Sequence, residues 1–302
     1  MANVGHAIIL AGGVGSRMLP ASLYSPKEGL PLVDTPLIHH LIWEAARSGV
    51  SDLHIVLSER KAKQWRGILS GEEVFSEDKR PDLPSNAMTP FVEDMEIHLH
   101  VQKKPGGVGD AINTALEKVE GPFLVLLGDN ILIKEHFGPV DSGPENASEA
   151  SLELVEKFEK SGGVPCVGVL QIEGEEVGKY GTTTLSSQGE DAYVLEIDEK
   201  PPASEKDSSY VLCGRYILPS QTKEILDDFS LEEYGEMQSI ALLRHLIHSS
   251  GLVAVKLDGY KLYDSGDPVS WLKSQIDHAI NRKDVGDEMV KWMNDLLGSK
   301  EK

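Results

Sequence analysis

The chain has 302 residues, 40% of them hydrophobic, and a formal net charge of −20 at pH 7. That composition suits a globular core, and it argues against broad binding of nucleic acid or anionic membrane, which needs basic surface; a small anionic substrate held by a local basic cluster stays admissible. Cys166 and Cys213 lack metal-ligand or redox spacing, and no apolar run reaches the roughly 20 residues of a membrane span, so no structural zinc and no membrane insertion are expected, and a cytoplasmic location is.

Ala7 to Ala11 is short and continuously apolar, the pattern of a strand buried on both faces of a parallel sheet. Gly12 to Gly15 form a glycine-rich turn directly after it. Thr35 and Pro36 predict an N-cap and first helical position, for a helix that carries Leu37, Leu41 and Ala45 and ends near Gly49. Leu53 to Leu57 reads as the next strand and completes a βαβ unit. The stretch from Gly71 to Pro90 is rich in Glu, Asp, Ser and Pro and predicts a surface excursion with a short helix at most. Glu96 to Gln102 alternates Ile97, Leu99 and Val101 with His98 and His100 and reads as a strand. A helix from Asp110 to Val119, a strand from Phe123 to Leu127 and a loop from Asp141 to Ser151 follow.

The second half is richer in strands: Cys166 to Ile172, Tyr193 to Ile197, Tyr210 to Leu218 and Leu252 to Leu257, with one helix from Glu236 to Ser249. This density predicts a mixed sheet packed beside the parallel one. Met289, Met293, Leu296 and Leu297 form a C-terminal amphipathic stripe, read as packing on the body, with a contact between copies as the alternative.

The chemistry concentrates in Leu10-Ala11-Gly12-Gly13-Val14-Gly15-Ser16-Arg17, followed by Lys27-Glu28. A strand feeding a glycine-rich turn offers backbone N–H groups to phosphate oxygens without Cβ interference, while Arg17 adds a planar fork and Lys27 a mobile charge. Two familiar phosphate loops are excluded. The third glycine of a dinucleotide turn falls on Met18, and no Gly-Lys-Ser/Thr ends a Walker loop. Asp129 lies just past an apolar strand, where ligands of open α/β sheets bind and where a carboxylate can hold Mg²⁺.

The run from Gly12 through Pro20, with Pro26-Lys27-Glu28 and Leu30-Pro31-Leu32-Val33-Asp34, resembles the signature of the sugar-phosphate nucleotidyltransferase family. The resemblance continues in order through Gly107-Val108-Gly109-Asp110-Ala111, Leu127-Gly128-Asp129-Asn130, Lys179-Tyr180-Gly181, Glu199-Lys200-Pro201, Gly214-Arg215-Tyr216, Gly235-Glu236-Met237-Gln238 and Tyr263-Asp264-Ser265-Gly266. It is strongest with the branch that uses UTP and glucose 1-phosphate; the branch that uses dTTP is close. It implies an α/β fold with a Rossmann-like mixed, mostly parallel central sheet flanked by helices, the nucleotide-diphospho-sugar transferase fold. One domain is expected over residues 1–302: a nucleotide-binding half over 1–135, a sugar-phosphate-binding half over 136–270 and a C-terminal helical segment over 271–302.

By the same resemblance, Ala11, Gly12, Gly13, Gly15, Ser16, Glu28, Gln102, Gly107 and Asp129 contact the nucleotide, with Gln102 at the base edge. Gly181, Glu199, Lys200 and Gly214 serve the sugar phosphate. Asp129 and Asp264 share one Mg²⁺, and Arg17, Lys27 and Lys200 are the catalytic cations. A homo-oligomer, dimer or tetramer, is implied as well. Two departures stand out: Asp110 replaces a usual His, and Gly128 replaces the usual Pro before the metal aspartate, a form more typical of the dTTP branch. Two alternatives stay open: thymidylyl transfer on the same scaffold, and a regulatory protein that binds nucleotide-sugar without catalysis.

Overall fold

Strand β1 (His6–Ala11) buries Ala7, Ile8, Ile9 and Ala11 completely, so both of its faces are covered. The computed structural model describes residues 3–69, 80–89, 92–104, 106–186, 191–199, 208–229 and 239–300. Among them β1 pairs in parallel with β4 (Asp52–Ser58) and with β6 (Phe123–Leu127), and β5 (Glu96–Gln102) adds to β4, also in parallel. The carboxyl ends of these four strands, at Ala11, Ser58, Gln102 and Leu127, therefore share one edge.

The second-half strands do not form a sheet packed beside this one. They extend it. β11 (Ser208–Leu218) runs antiparallel to β6 through Arg215 to Leu218, pairs with β8 (Cys166–Glu173) from Ser208 to Ile217 with an irregularity after Leu212, and meets β9 (Gly181–Leu185) at Tyr210 and Val211. β12 (Val253–Lys256) and β10 (Ala192–Glu199) complete one nine-stranded mixed sheet, ordered β5-β4-β1-β6-β11-β8-β12-β10-β9. β11 makes this possible, because its two edges pair with strands from both halves of the chain, β6 on one side and β8 on the other.

Helices cover both faces. α2 (Leu37–Arg47), α3 (Glu59–Leu69) and α6 (Ala150–Lys160) pack Leu41, Trp65, Leu154 and Phe158 against the face that carries Ile9 and Ile55. α5 (Gly107–Ala115), α7 (Thr222–Asp227) and α8 (Ser239–Ser249) pack Ile112, Leu226 and Leu243 against the face that carries Ile8 and Val56. The short helices α1 (Ala21–Tyr24) and α4 (Ser85–Met88) lie in the connections. None of the described helices is long and apolar enough to cross a membrane.

Several local expectations are corrected. Thr35 does not cap α2: Thr35 and Pro36 form the two-residue strand β3 (Thr35–Pro36) against β2 (Pro31–Leu32), and Pro36 itself takes the cap position. The helix expected from Asp110 begins three residues earlier and tightens to a 3-10 turn over Leu116–Lys118. The loop read up to Ser151 gives way to α6 at Ala150, and α9 (Pro268–Asn281) follows a strand that the sequence did not show. In α10 (Gly286–Lys300) Met289 and Met293 are half-buried, but Trp292, Leu296 and Leu297 are 55%, 41% and 58% exposed, so the last turns do not pack on the body. The expected helix start at Glu236, with residues 235–238 of the motif, lies outside the described residues.

Candidate active site

Past Ala11 the chain runs through Gly12 to Gly15 into a 3-10 turn, Ser16–Met18, on which Ser16 and Arg17 are exposed. Ser22 Oγ donates to the Gly15 carbonyl at 2.8 Å and ties the loop to α1. A second 3-10 turn, Lys27–Gly29, brings the Lys27 side chain against Gly15 and up to Gly13. At its tip Lys27 Nζ donates to Asp129 Oδ2 at 2.6 Å.

Asp129 stands just beyond β6. The next strand, β7 (Asn130–Ile133), pairs antiparallel with β13 (Lys261–Asp264), and the register sets Asp264 opposite Asn130. Ser265 tightens the junction, its N–H and Oγ both donating to the Asp129 carbonyl at 3.1 and 3.3 Å. A two-stranded ladder thus brings together two aspartates that are distant in sequence. Arg17 reaches the same place: a Cβ on Gly266 would stand 2.9 Å from a guanidinium nitrogen and 2.8 Å from Asp264 Oδ1.

The charges act on one another as that geometry requires. Burial alone would raise the Asp129 carboxyl, but the Lys27 ammonium outweighs it and holds Asp129 below the usual carboxylate value, with Arg17 adding to the effect. Asp264 shifts the other way. Burial pushes it up and the charge of Asp129 pushes it further, against a 2.6 Å hydrogen bond from the Gly266 N–H and the pull of Arg17. Two carboxylates that repel one another, with oxygen atoms as the donor set, suit a hard divalent cation such as Mg²⁺. Asp52, Glu96 and His98 also gather closely, but they sit at the opposite ends of β4 and β5. There Asp52 Oδ1 faces His98 Nε2 at 3.0 Å while Glu96 Oε1 faces Nδ1 at 3.7 Å, so the two carboxylates address different nitrogens.

The remaining expected residues fall around this centre. Gly128, before Asp129, donates its N–H to the Leu10 carbonyl at 3.0 Å, and a Cβ there would stand 2.5 Å from that oxygen. Gly214 adopts φ +77° at an irregularity in β11, where a side chain would meet Asn130 Nδ2 at 2.8 Å. Gly181 is paired across β9 and β10 with the exposed Glu199, and Tyr180 beside it is pushed up by burial and by the charges of Asp264, Glu176 and Asp129. Lys200 lies outside the described residues. Gln102, at the end of β5, donates to the Gly107 carbonyl at 3.3 Å and to Asp110 Oδ2 at 2.7 Å.

Glu28 is fully buried, and its Oε2 accepts a 2.7 Å hydrogen bond from Lys61 Nζ; among the described residues its other oxygen has no partner. Lys61, which the sequence did not single out, also donates to the Ala11 carbonyl at 2.7 Å and so pins the end of β1. No local signal marks it, because its role exists only once α3, packed on β4 and β5, carries the Lys61 side chain to the end of β1. Arg215, part of a quoted motif, is likewise buried, its Nε and one terminal nitrogen on the two oxygens of Glu44 at 2.7 and 2.8 Å.

The pattern of the nucleotidyl transferase family matches residues 6–279, and the chain belongs to that family. Its fold is the mixed α/β nucleotide-diphospho-sugar transferase fold. Among similar proteins, the UTP–glucose-1-phosphate uridylyltransferase of Bacillus subtilis (strain 168) is 30% identical over all of this chain and all of its own length. UTP–glucose-1-phosphate uridylyltransferase YngB of the same organism is 31% identical, over 98% of this chain and 96% of its own. A solved UDP-glucose pyrophosphorylase complexed with UDP-glucose superposes with TM-score 0.75 at 26% identity, covering 91% of this chain and 98% of its own.

Proposed function

We propose that this chain transfers the uridylyl group of UTP to glucose 1-phosphate, releasing pyrophosphate and leaving UDP-glucose. The observation that carries this reading is the convergence of Arg17, Lys27, Asp129 and Asp264 at the carboxyl ends of the parallel strands, in a chain whose full-length relatives bear that activity in their names.

An oxygen of the sugar phosphate attacks the α-phosphorus of UTP in line, one P–O bond forms, and the bond to the β-phosphate oxygen breaks with its electron pair on pyrophosphate. No proton transfer and no protein nucleophile are needed, so the protein contributes alignment and neutralisation of charge. The turn from Ala11 to Ser16 supplies backbone N–H groups to the triphosphate, and Arg17 steadies the departing pyrophosphate. Lys27 neutralises the transferring phosphoryl group, and Lys200 the attacking phosphate. Gly181, Glu199 and Gly214 line the sugar side, so residues 1–135 hold the nucleotide and 136–270 the sugar phosphate. Asp129 and Asp264 would hold Mg²⁺, which would supply positive charge to neutralise the phosphates.

The enzyme works in the cytoplasm as a homo-oligomer. In support, Cys166 and Cys213 are buried free thiols, as a reducing compartment keeps them, and α10 turns Val290, Trp292, Leu296 and Leu297 outward, ready for a second copy. The test is pyrophosphate release on mixing the purified protein with Mg²⁺, glucose 1-phosphate and either UTP or dTTP. Release with UTP is expected. Faster release with dTTP makes it a thymidylyltransferase, and the absence of release with either triphosphate makes it a binding protein.

A further inference from the structure

The hydrogen bond between Gln102 and Asp110 fixes which way round the Gln102 amide faces. Nε2 donates to Asp110 Oδ2 at 2.7 Å and to the Gly107 carbonyl at 3.3 Å. Both partners are acceptors, so only the NH₂ end can point at them, and the carbonyl Oε1 must point away. Two glycines frame the pair. A Cβ on Gly12 would stand 2.8 Å from Gln102 Oε1, and one on Gly106 would stand 2.8 Å from Asp110 Cγ. Oε1 therefore turns toward the glycine-rich loop at the carboxyl end of β1, and among the described residues no donor reaches it.

We propose that Asp110 is the positioning residue that sets base choice, by holding Gln102 as a hydrogen-bond acceptor toward the nucleotide. An acceptor there pairs with the imide N–H that uracil and thymine carry. Cytosine has a ring nitrogen acceptor at the same place, and two acceptors facing one another lose the bond and leave both unpaired. Without Asp110 only the longer 3.3 Å bond to the Gly107 carbonyl still holds the NH₂ end, so the amide turns over more readily and offers its NH₂ to cytosine, and discrimination falls even though Gln102 remains. Selection between uracil and thymine does not depend on this contact, because both present the same imide.

The inference rests on the proposed nucleotidyl transfer, and the experiment separates the two. kcat and KM are measured with glucose 1-phosphate and UTP or CTP for the wild type, Asp110→Ala and Asp110→Asn; if the wild type prefers dTTP, the pair becomes dTTP and dCTP. In Asp110→Ala the UTP-over-CTP ratio of kcat/KM is expected to fall roughly tenfold or more, mainly through KM, while kcat with UTP holds. Asp110→Asn, whose side-chain oxygen still accepts, restores most of the ratio. An unchanged ratio in Asp110→Ala overturns the assignment, and so does an equal loss with both nucleotides, which marks a purely structural role. Should Asp110→Ala not fold, the near-isosteric Asp110→Leu carries the same comparison, and Gln102→Ala must show the same collapsed ratio in either case. A wild type that forms no nucleotide-sugar from any triphosphate defeats the proposed function itself.

Discussion

Lys27 and Asp129 form a 2.6 Å ion pair whose side chains are 12% and 28% exposed, at the point where the glycine-rich loop meets the end of β6. The pair sets the charge pattern of the site: Lys27 holds Asp129 ionised, and the ionised Asp129 in turn opposes ionisation of Asp264. Asp129→Ala removes a proposed cation ligand, and Lys27→Ala the charge proposed to meet the phosphoryl group. Each is expected to lower kcat by on the order of a hundredfold or more while the far-ultraviolet spectrum stays that of the folded chain. Turnover near wild type in either variant removes that residue from the catalytic set.

Asp264 gives the opposite balance between stability and activity. Its carboxyl is raised by burial and by Asp129, so in the metal-free protein the folded state holds its proton more tightly than the unfolded chain does. A raised carboxyl contributes stability that is present below the unfolded value near 3.8 and is lost as pH rises through the folded value. At neutral pH the ionised group therefore weighs against the fold. Asp264→Asn should raise the melting temperature without metal, lower kcat by about a hundredfold or more, and abolish the further stabilisation that added Mg²⁺ is expected to give the wild type. A lower melting temperature at neutral pH would contradict this account of the carboxylate.

The sequence made some of this plain and hid the rest, for physical reasons. Ala7 to Ala11 and Phe123 to Leu127 are apolar without interruption because both faces of those strands are covered, and such runs are legible anywhere. Asp129 was legible because it follows one of them. Asp264 was visible only through the family motif: β13 is four residues long, and nothing in Lys261 to Asp264 says that its partner is β7. α9 did carry a local signal, Asp267 followed by Pro268, and Asp267 Oδ1 indeed accepts from the N–H groups of Val269 and Ser270 at 3.0 Å. Lys61 had none. A lysine at 2% exposure is set by its partners, and both come from elsewhere in the chain.

That buried lysine supports a stability prediction. Glu28 and Lys61 are shifted toward neutrality, Glu28 up and Lys61 down, burial being the first cause for both and their mutual attraction opposing it. Removing one partner leaves the other buried and uncompensated. Lys61→Met should therefore cost about 3–5 kcal/mol by urea unfolding, and adding Glu28→Met should recover most of it. If the double variant is no more stable than the single one, the loss comes from packing of α3 and not from the stranded carboxylate.

Gly128 is held tightly by its surroundings. A Cβ would stand 2.5 Å from the Leu10 carbonyl oxygen and 3.3 Å from Ala11 Cα, in the tight seam between β1 and β6. Gly128→Ala is expected to destabilise the chain by about 1–3 kcal/mol and, by moving the adjacent Asp129, to lower kcat. Gly128→Pro should do worse, because it also removes the N–H that donates to Leu10 at 3.0 Å. Wild-type stability in Gly128→Pro would show that this seam opens freely, and the departure from the usual Pro would then need another explanation.

Acid should unfold the chain through its buried histidines. His39, His54 and His278 are at most 7% exposed, and burial, ahead of any neighbouring charge, lowers them to about 4, 3 and 4. His54 is held between two other imidazoles, with His6 Nδ1 and His100 Nε2 each 3.0 Å from its ring nitrogens, and it stacks on His98. In the unfolded chain these histidines take up a proton near 6.5; in the folded chain they do not until far lower pH. The unfolded state thus binds more protons below 6.5, and stability that is fully present above that value is lost as pH falls toward 4. Each such histidine contributes a slope of about 1.4 kcal/mol per pH unit once pH is well below its unfolded value. Urea midpoints should be flat from about pH 7 to 8 and fall steeply between about 6.5 and 5. His54→Asn lowers stability at every pH by breaking the imidazole chain, so the readout is the slope, which should lose about one proton. A slope identical to wild type would mean that His54 is not among the groups whose protonation drives acid unfolding, and that the other buried histidines carry it alone.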